Sequence, residues 1–165
     1  MALDNPKLLS LDDACQRRKE YKDAGESVVL VNGCFDLLHT GHIYYLNKAS
    51  EFGDRLFVAL NGTESVQALK GPERPIQDDE SRAYALGALS CVDAVFTFKT
   101  PRLTDEITAL KPDHYAKAGD YTIDTINKEE KKALEDGGTE IHFVGYLEGF
   151  STTELVEKIK KAGGI

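Results

Sequence analysis

From residue 27 onward, short apolar runs alternate with stretches whose apolar residues recur every three to four positions. The runs at 27–31, 55–60, 93–98, 114–117 and 140–144 predict strands, the fourth of them short and polar. The stretches at 41–52, 78–90, 102–110, 125–136 and 151–161 predict helices, with turns at Gly53-Asp54, Lys111-Pro112 and Gly137-Gly138. Ahead of them, Ser10-Leu-Asp-Asp opens a charged helix that runs through Tyr21 and stops near Gly25. Strands alternating with helices predict an α/β fold, a doubly wound parallel sheet of about five strands in three α/β/α layers. Residues 1–26 read as a helical extension and 27–165 as the main domain.

In such a sheet, ligands bind beyond the carboxyl ends of the strands, where strand order reverses. With the first strand central and the fourth beside it, the turn at 32–42 faces the turn at 117–121. Residues distant in sequence then share one crevice. The one irregular stretch, 69–76 (Leu-Lys-Gly-Pro-Glu-Arg-Pro-Ile), has the composition of a binding loop.

Composition narrows the partners. The chain has 165 residues, 41% apolar and 29% charged, enough for one domain with a real core. No apolar run approaches the roughly 20 residues of a membrane span, and the N-terminus lacks the pattern of a signal peptide. A net charge of −8 disfavours nucleic acid as a partner and leaves small anions, wherever cations converge locally. Cys15, Cys34 and Cys91 form no disulfide framework and no metal knuckle, which points to a reducing cytoplasm. Cys34 reads as a small packing residue in the key turn.

Candidate chemistry concentrates in four pieces. In the first, the run 28–31 ends in Asn32-Gly-Cys-Phe-Asp, and His39 and His42 straddle Gly41 where a helix begins. Histidines at i, i+3 share a helix face, and the free N–H groups of a helix start attract phosphate. Imidazole donors set into such a site suit charge developing on a transferring phosphoryl or nucleotidyl group. The second and third pieces are Lys70 with Arg74, and Arg82 early in the next helix. The fourth is Glu148-Gly-Phe-Ser-Thr-Thr-Glu, whose Ser151, Thr152 and Thr153 offer hydroxyls at the last helix start. Taken singly, each has a plain structural explanation. Ser151 with Glu154 forms a capping box, Arg82 can pair with Asp78 or Asp79, and Lys70 and Arg74 are ordinary surface cations. Neither a Gly-Lys-Ser/Thr phosphate loop nor a Gly-x-Gly-x-x-Gly fingerprint is present.

These motifs resemble the nucleotidyltransferase superfamily with the His-x-Gly-His signature and a second, Ser/Thr-rich signature, here Phe150-Ser-Thr-Thr. The likeness runs from about residue 8 to the end and implies a Rossmann-like fold. Within the superfamily the chain is most similar to the heptose 1-phosphate adenylyltransferase (ADP-heptose synthase) group. That similarity rests on the segments from Asn32 to His42, 69–76, Lys117-Ala-Gly-Asp-Tyr and Glu148-Gly-Phe-Ser-Thr-Thr. That group usually carries Lys-Gly-Gly-Asp where Ala118 stands here. Glycerol-3-phosphate cytidylyltransferase shares both outer signatures but typically has an arginine where this chain has Tyr146. The resemblance implies transfer of AMP from ATP to a sugar phosphate with release of pyrophosphate. The alternative is CMP transfer from CTP to glycerol 3-phosphate or a similar acceptor, and a third reading is a nucleotide-binding regulatory module without turnover. In the catalytic readings His39, His42, Lys70 and Arg82 act on the phosphates. Asn32, Gly33, Cys34, Phe35, Asp36, Gly41, Arg74, Lys117, Gly119, Asp120, Phe150, Ser151, Thr152 and Thr153 line the nucleotide or acceptor sites. Mg²⁺ is expected to be held mainly by substrate phosphates, with no protein metal ligands assigned, and a homodimer is expected from the family.

Overall fold

The computed structural model describes residues 3–119 and 121–163. The elements follow in the order α1 (Leu11–Asp23), β1 (Val28–Gly33), α2 (Thr40–Ser50), β2 (Arg55–Asn61), α3 (Thr63–Lys70) and α4 (Asp79–Gly87). They continue with β3 (Ala94–Phe98), α5 (Thr104–Leu110), β4 (His114–Ala118), α6 (Lys128–Gly137), β5 (Glu140–Val144) and α7 (Thr152–Gly163). The five strands form one sheet of order β3-β2-β1-β4-β5, with every pairing parallel. All five expected strands are present within a residue or two. The central place of β1 follows from its sequence, because Val28 to Val31 are apolar without alternation and are buried on both faces.

The alternate residues of β1 divide the core. Val29 and Val31 pack with Leu46, Ala49 and Leu86 under α2 and α4. Val28 and Leu30 pack with Ala14, Ile107 and Leu134 under α1, α5 and α6. The N-terminal segment crosses the sheet edge, with Leu8 packed on the first layer and Leu9, Leu11 and Ala14 on the second. Leu9 N donates to Val95 O and Val95 N to Lys7 O, and Ala14 is fully buried.

Register is set at the amino edge of the sheet by three aspartates. Asp54 accepts from Ser27 N, Asp93 from Leu56 N and Asp113 from Val28 N, each at 2.8 Å. Asp113 also pairs with the buried Arg18 of α1 at 2.8 Å. These bonds stabilise the end of the sheet remote from the strand-order reversal at β1 and β4, so the carboxyl edge is left free to carry loops.

One helix is absent from the sequence reading. α3 occupies eight residues, buries only Ser65 and Val66, and starts at Gly62, which makes no side-chain cap. So short a segment carries little periodicity. The irregular stretch expected at 69–76 therefore begins only at Gly71, and Lys70 is the last residue of a helix. α6 starts later than expected because Asn127 caps it, its Oδ1 accepting from Glu129 N and Glu130 N.

Replacing Asp113 by Ala leaves Arg18 Nη2 and Val28 N without their acceptor. A loss of about 1–3 kcal/mol in urea unfolding is expected, with an unchanged midpoint arguing against this anchoring role.

Candidate active site

The turn after β1 is locally strained and internally bonded. Phe35 adopts φ +43°, a left-handed conformation rare for a bulky residue, and its ring is buried. A Cβ on Gly33 would meet that ring at 2.8 Å, so the close return of the chain needs glycine there. Asn32 Oδ1 accepts from the Tyr115 hydroxyl at 2.7 Å. Asp36 is almost wholly buried and accepts from Arg74 Nε at 2.6 Å, Ile76 N at 2.8 Å and Gln77 N at 3.1 Å. Burial alone pushes this carboxyl up, but the bonds from Gln77, Arg74 and Ile76 outweigh it and hold its pKa below the ordinary value.

Beyond that turn begins α2, and His39 is its N-cap. His39 Nδ1 accepts from Gly41 N at 3.1 Å, which fixes the tautomer and leaves the proton on Nε2. His42 stacks on His39 with ring centroids 3.8 Å apart, while the edge of Phe35 meets its other side at 5.2 Å. Burial, the neighbouring His39 and the charge of Lys70 together bring the His42 pKa down to about 4. Burial also lowers His39, partly opposed by Glu154. Both imidazoles are therefore neutral donors at neutral pH. They are held at the positive dipole end of a helix.

The turn that opens α7 closes against this helix start. A Cβ on Gly41 would lie 3.1 Å from Phe150 Cβ and 3.1 Å from the His39 ring, so the approach depends on the missing side chain. Ser151 caps α7, its Oγ accepting from Glu154 N at 3.1 Å. Between the two helix starts lies a cavity of about 240 Å³. His39, Gly41, His42 and Lys70 line one side, and Phe150, Ser151, Thr152 and Thr153 the other. The expected convergence of the histidine signature with the Ser/Thr-rich turn is thus a feature of the geometry.

Other expected site residues stand elsewhere. Arg82, expected to act on phosphate, is 1% exposed and has no free face. Its Nη1 donates to Cys34 O and Asn61 O, each at 2.7 Å, its Nε to Gln77 O at 3.2 Å, and its Nη2 to Asp79. It is a positioning residue that holds the first turn, the end of β2 and α4 together. Arg74, expected to grip phosphate, and Asp36, expected to touch ligand, neutralise one another and tie the 71–78 loop to the same turn. Cys34 contributes a carbonyl to Arg82. Lys117 lies on the other face of β4 from the cavity-lining Ala118, with Nζ 4.7 Å from the Tyr121 ring centroid, and burial lowers its pKa. Asp120 lies outside the described residues.

Tyr45, Ala118, Gly145, Tyr146 and Leu147 also line the cavity and were not expected. Tyr45 is three residues after His42 on the same helix face, a signal readable from spacing. Its hydroxyl donates to Ala116 O at 2.7 Å and burial raises its pKa. Tyr146 packs over Gly119, where a Cβ would meet its ring and hydroxyl at 2.5–2.6 Å. Gly119 has φ +108°, whereas Ala118 is not among the residues with positive φ, so alanine is accommodated without strain there. The two departures noted in the sequence, Ala118 and Tyr146, therefore line one wall.

A doubly wound sheet with a histidine-capped helix facing a second helix start at its strand-order reversal is the architecture of a nucleotidyltransferase. Residues 30–160 match the cytidylyltransferase-like family, and the chain belongs to that family. Among curated proteins it is similar to the bifunctional protein HldE of Geobacter sulfurreducens, 44% identical over 143 residues, covering 87% of this chain and 29% of that protein. With HldE of Hydrogenovibrio crunogenus it shares 48% identity over 138 residues, 84% of this chain and 28% of that protein. The chain thus spans less than a third of the length of these relatives. Among solved structures, a lipopolysaccharide core biosynthesis protein from Thermoplasma volcanium aligns with TM-score 0.60 and 27% identity, covering 74% of this chain and 98% of that one. The pantoate-beta-alanine ligase of Francisella tularensis shares the fold, with TM-score 0.51 and 14% identity over 96% of this chain and 78% of that one.

Two outcomes test this geometry. Arg82→Met leaves buried carbonyls of Cys34 and Asn61 unpaired and is expected to cost about 2–4 kcal/mol in denaturant unfolding. An unperturbed midpoint contradicts the assigned role. The second outcome concerns pH. His42 binds its proton less readily when folded, with its pKa down from 6.5 to about 4. As pH falls through that window the unfolded chain takes up a proton that the native site refuses, and stability is lost. Tm should fall less between about pH 7 and pH 4 in His42→Gln than in the parent. Parallel curves for the two proteins would contradict the burial of this imidazole.

Proposed function

We propose that the cavity holds the triphosphate of ATP and that the protein transfers AMP to a sugar phosphate, with heptose 1-phosphate as the acceptor and pyrophosphate as the leaving group. The observation that carries this reading is the contact of Gly41 with Phe150, which sets two neutral imidazoles and three hydroxyl residues around one cavity beside Lys70. The histidine-signature resemblance, the HldE relatives and the likeness to a lipopolysaccharide core biosynthesis protein support a sugar phosphate acceptor. Cytidylyl transfer from CTP is the second reading, which the family description favours. Tyr146, where that group carries arginine, speaks against it.

The reaction asks little of the protein beyond placement. A phosphomonoester acceptor, with its second pKa near ~6, is already ionised at neutral pH and needs no general base. Its phosphate oxygen attacks the α-phosphorus, and the bond to the β-phosphate oxygen breaks. His39 donates from Nε2 and His42 from its own N–H to oxygens on which charge accumulates. Lys70 offsets the charge of the departing pyrophosphate, and the start of α7 holds terminal phosphate oxygens. No carboxylate lines the cavity among the described residues, and its imidazole, hydroxyl and ammonium groups fit Mg²⁺ held through substrate oxygens and water. Mg²⁺, when bound, neutralises phosphate charge.

No helix among the described residues is long and apolar enough to cross a membrane. Together with three unpaired cysteines this supports a cytoplasmic protein, and the family resemblance supports a homodimer.

A matrix of ATP and CTP against sugar phosphates and glycerol 3-phosphate, read by pyrophosphate release, tests the assignment. The largest kcat/KM is expected for ATP with heptose 1-phosphate. A preference for CTP with glycerol 3-phosphate selects the second reading, and nucleotide binding without pyrophosphate from any acceptor makes the chain a regulatory module. His42→Ala is expected to lower kcat by about 10²-fold. Lys70→Ala should weaken substrate use while the protein stays folded, and unchanged kinetics would return Lys70 to the solvated cations.

A further inference from the structure

At the amino edge of the sheet, opposite the cavity, three metal-ligating side chains meet. His114 opens β4 and is in register with Glu140, the first residue of β5, and His142 follows two positions later. Period-two alternation puts all three on one face of the sheet. His114 Nδ1 lies 3.1 Å from His142 Nε2 and 3.5 Å from Glu140 Oε2, and His142 Nε2 lies 3.9 Å from Glu140 Oε1. The three candidate donor atoms are all within 4.8 Å of one another. Phe52 stacks on the His142 ring at 4.0 Å and 9°, which fixes its plane, and Gly53 packs beside the His114 ring.

A tetrahedral ion with bonds of about 2.0–2.1 Å holds its ligand atoms about 3.3 Å apart. The two nitrogens stand close to that spacing, and each has a Glu140 oxygen within 3.9 Å. A hydrogen bond between the two imidazoles explains the first distance alone and leaves the approach of the carboxylate oxygens to both ring nitrogens without a reason. We propose that His114, Glu140 and His142 form a binding site for a divalent transition cation, Zn²⁺ foremost, that ties edge strand β5 to β4. The two imidazoles are mostly buried while the Glu140 side chain is 67% exposed, so the ion enters from solvent and keeps a water as its fourth ligand. Two nitrogens and one oxygen select Zn²⁺, Co²⁺ or Ni²⁺ over Mg²⁺ and Ca²⁺, which require oxygen cages. Among the described residues β5 is an edge strand that pairs with β4, so an ion at this end braces the strand whose other end launches the cavity-lining loop at Gly145.

The test is titration of the full chain with Zn²⁺ alone by calorimetry, with Co²⁺ absorption and thermal melts in parallel. One ion per chain is expected, with a rise in Tm that Mg²⁺ does not reproduce. His142→Gln and Glu140→Gln should weaken Zn²⁺ at least tenfold while retaining the parent circular dichroism. His42→Gln, which alters the other imidazole pair, should leave the affinity unchanged. Absence of Zn²⁺ binding up to roughly 1 mM, or binding that survives His142→Gln and is lost in His42→Gln, overturns the proposal.

Discussion

A missing side chain at Gly41 lets the chain's last turn rest on the amino end of α2, and the site exists because of that contact. Two helix starts then turn their positive dipole ends toward one space. Neither start alone binds a triphosphate with much specificity. Set face to face, with stacked imidazoles on one side and hydroxyls on the other, they make a cradle for an extended anion. The imidazoles gain from the same closeness. Burial keeps them neutral, so they donate hydrogen bonds without attracting stray anions as fixed cations do.

The frame behind this contact divides its work between the two edges of the sheet. At the amino edge, aspartates before successive strands accept backbone N–H bonds and fix register. The carboxyl edge is held from beneath by two arginines, one of them buried. Arg82 gathers three backbone carbonyls and Asp79, and Arg74 neutralises Asp36 within the first turn. A buried guanidinium with every partner in place positions strongly, because removing it strands several acceptors at once. The strained Phe35 turn persists for the same reason, since its neighbours over-determine it.

The sheet was legible because unbroken apolar runs such as 28–31 have few alternatives to a central parallel strand. The helix starts at His39 and Ser151 were legible because capping chemistry is local. α3 was not, since its eight residues are shorter than the window a helical period needs and its start at Gly62 has no capping side chain. The arginines misled for a physical reason. A cation near a phosphate motif has the same sequence signature whether it faces ligand or carbonyls, and only burial separates the two for Arg82. His114 and His142 lie 28 residues apart, and strand register alone brings them together.

Side-chain ¹⁵N NMR of the histidines, followed by pH titration with and without a non-hydrolysable ATP analogue and Mg²⁺, reads the central contact directly. The account predicts that the nucleotide raises the His42 pKa from about 4 and shifts the His39 Nε2 resonance, because phosphate oxygens take up both N–H donors. Saturating nucleotide that leaves both rings at their unliganded values would contradict it.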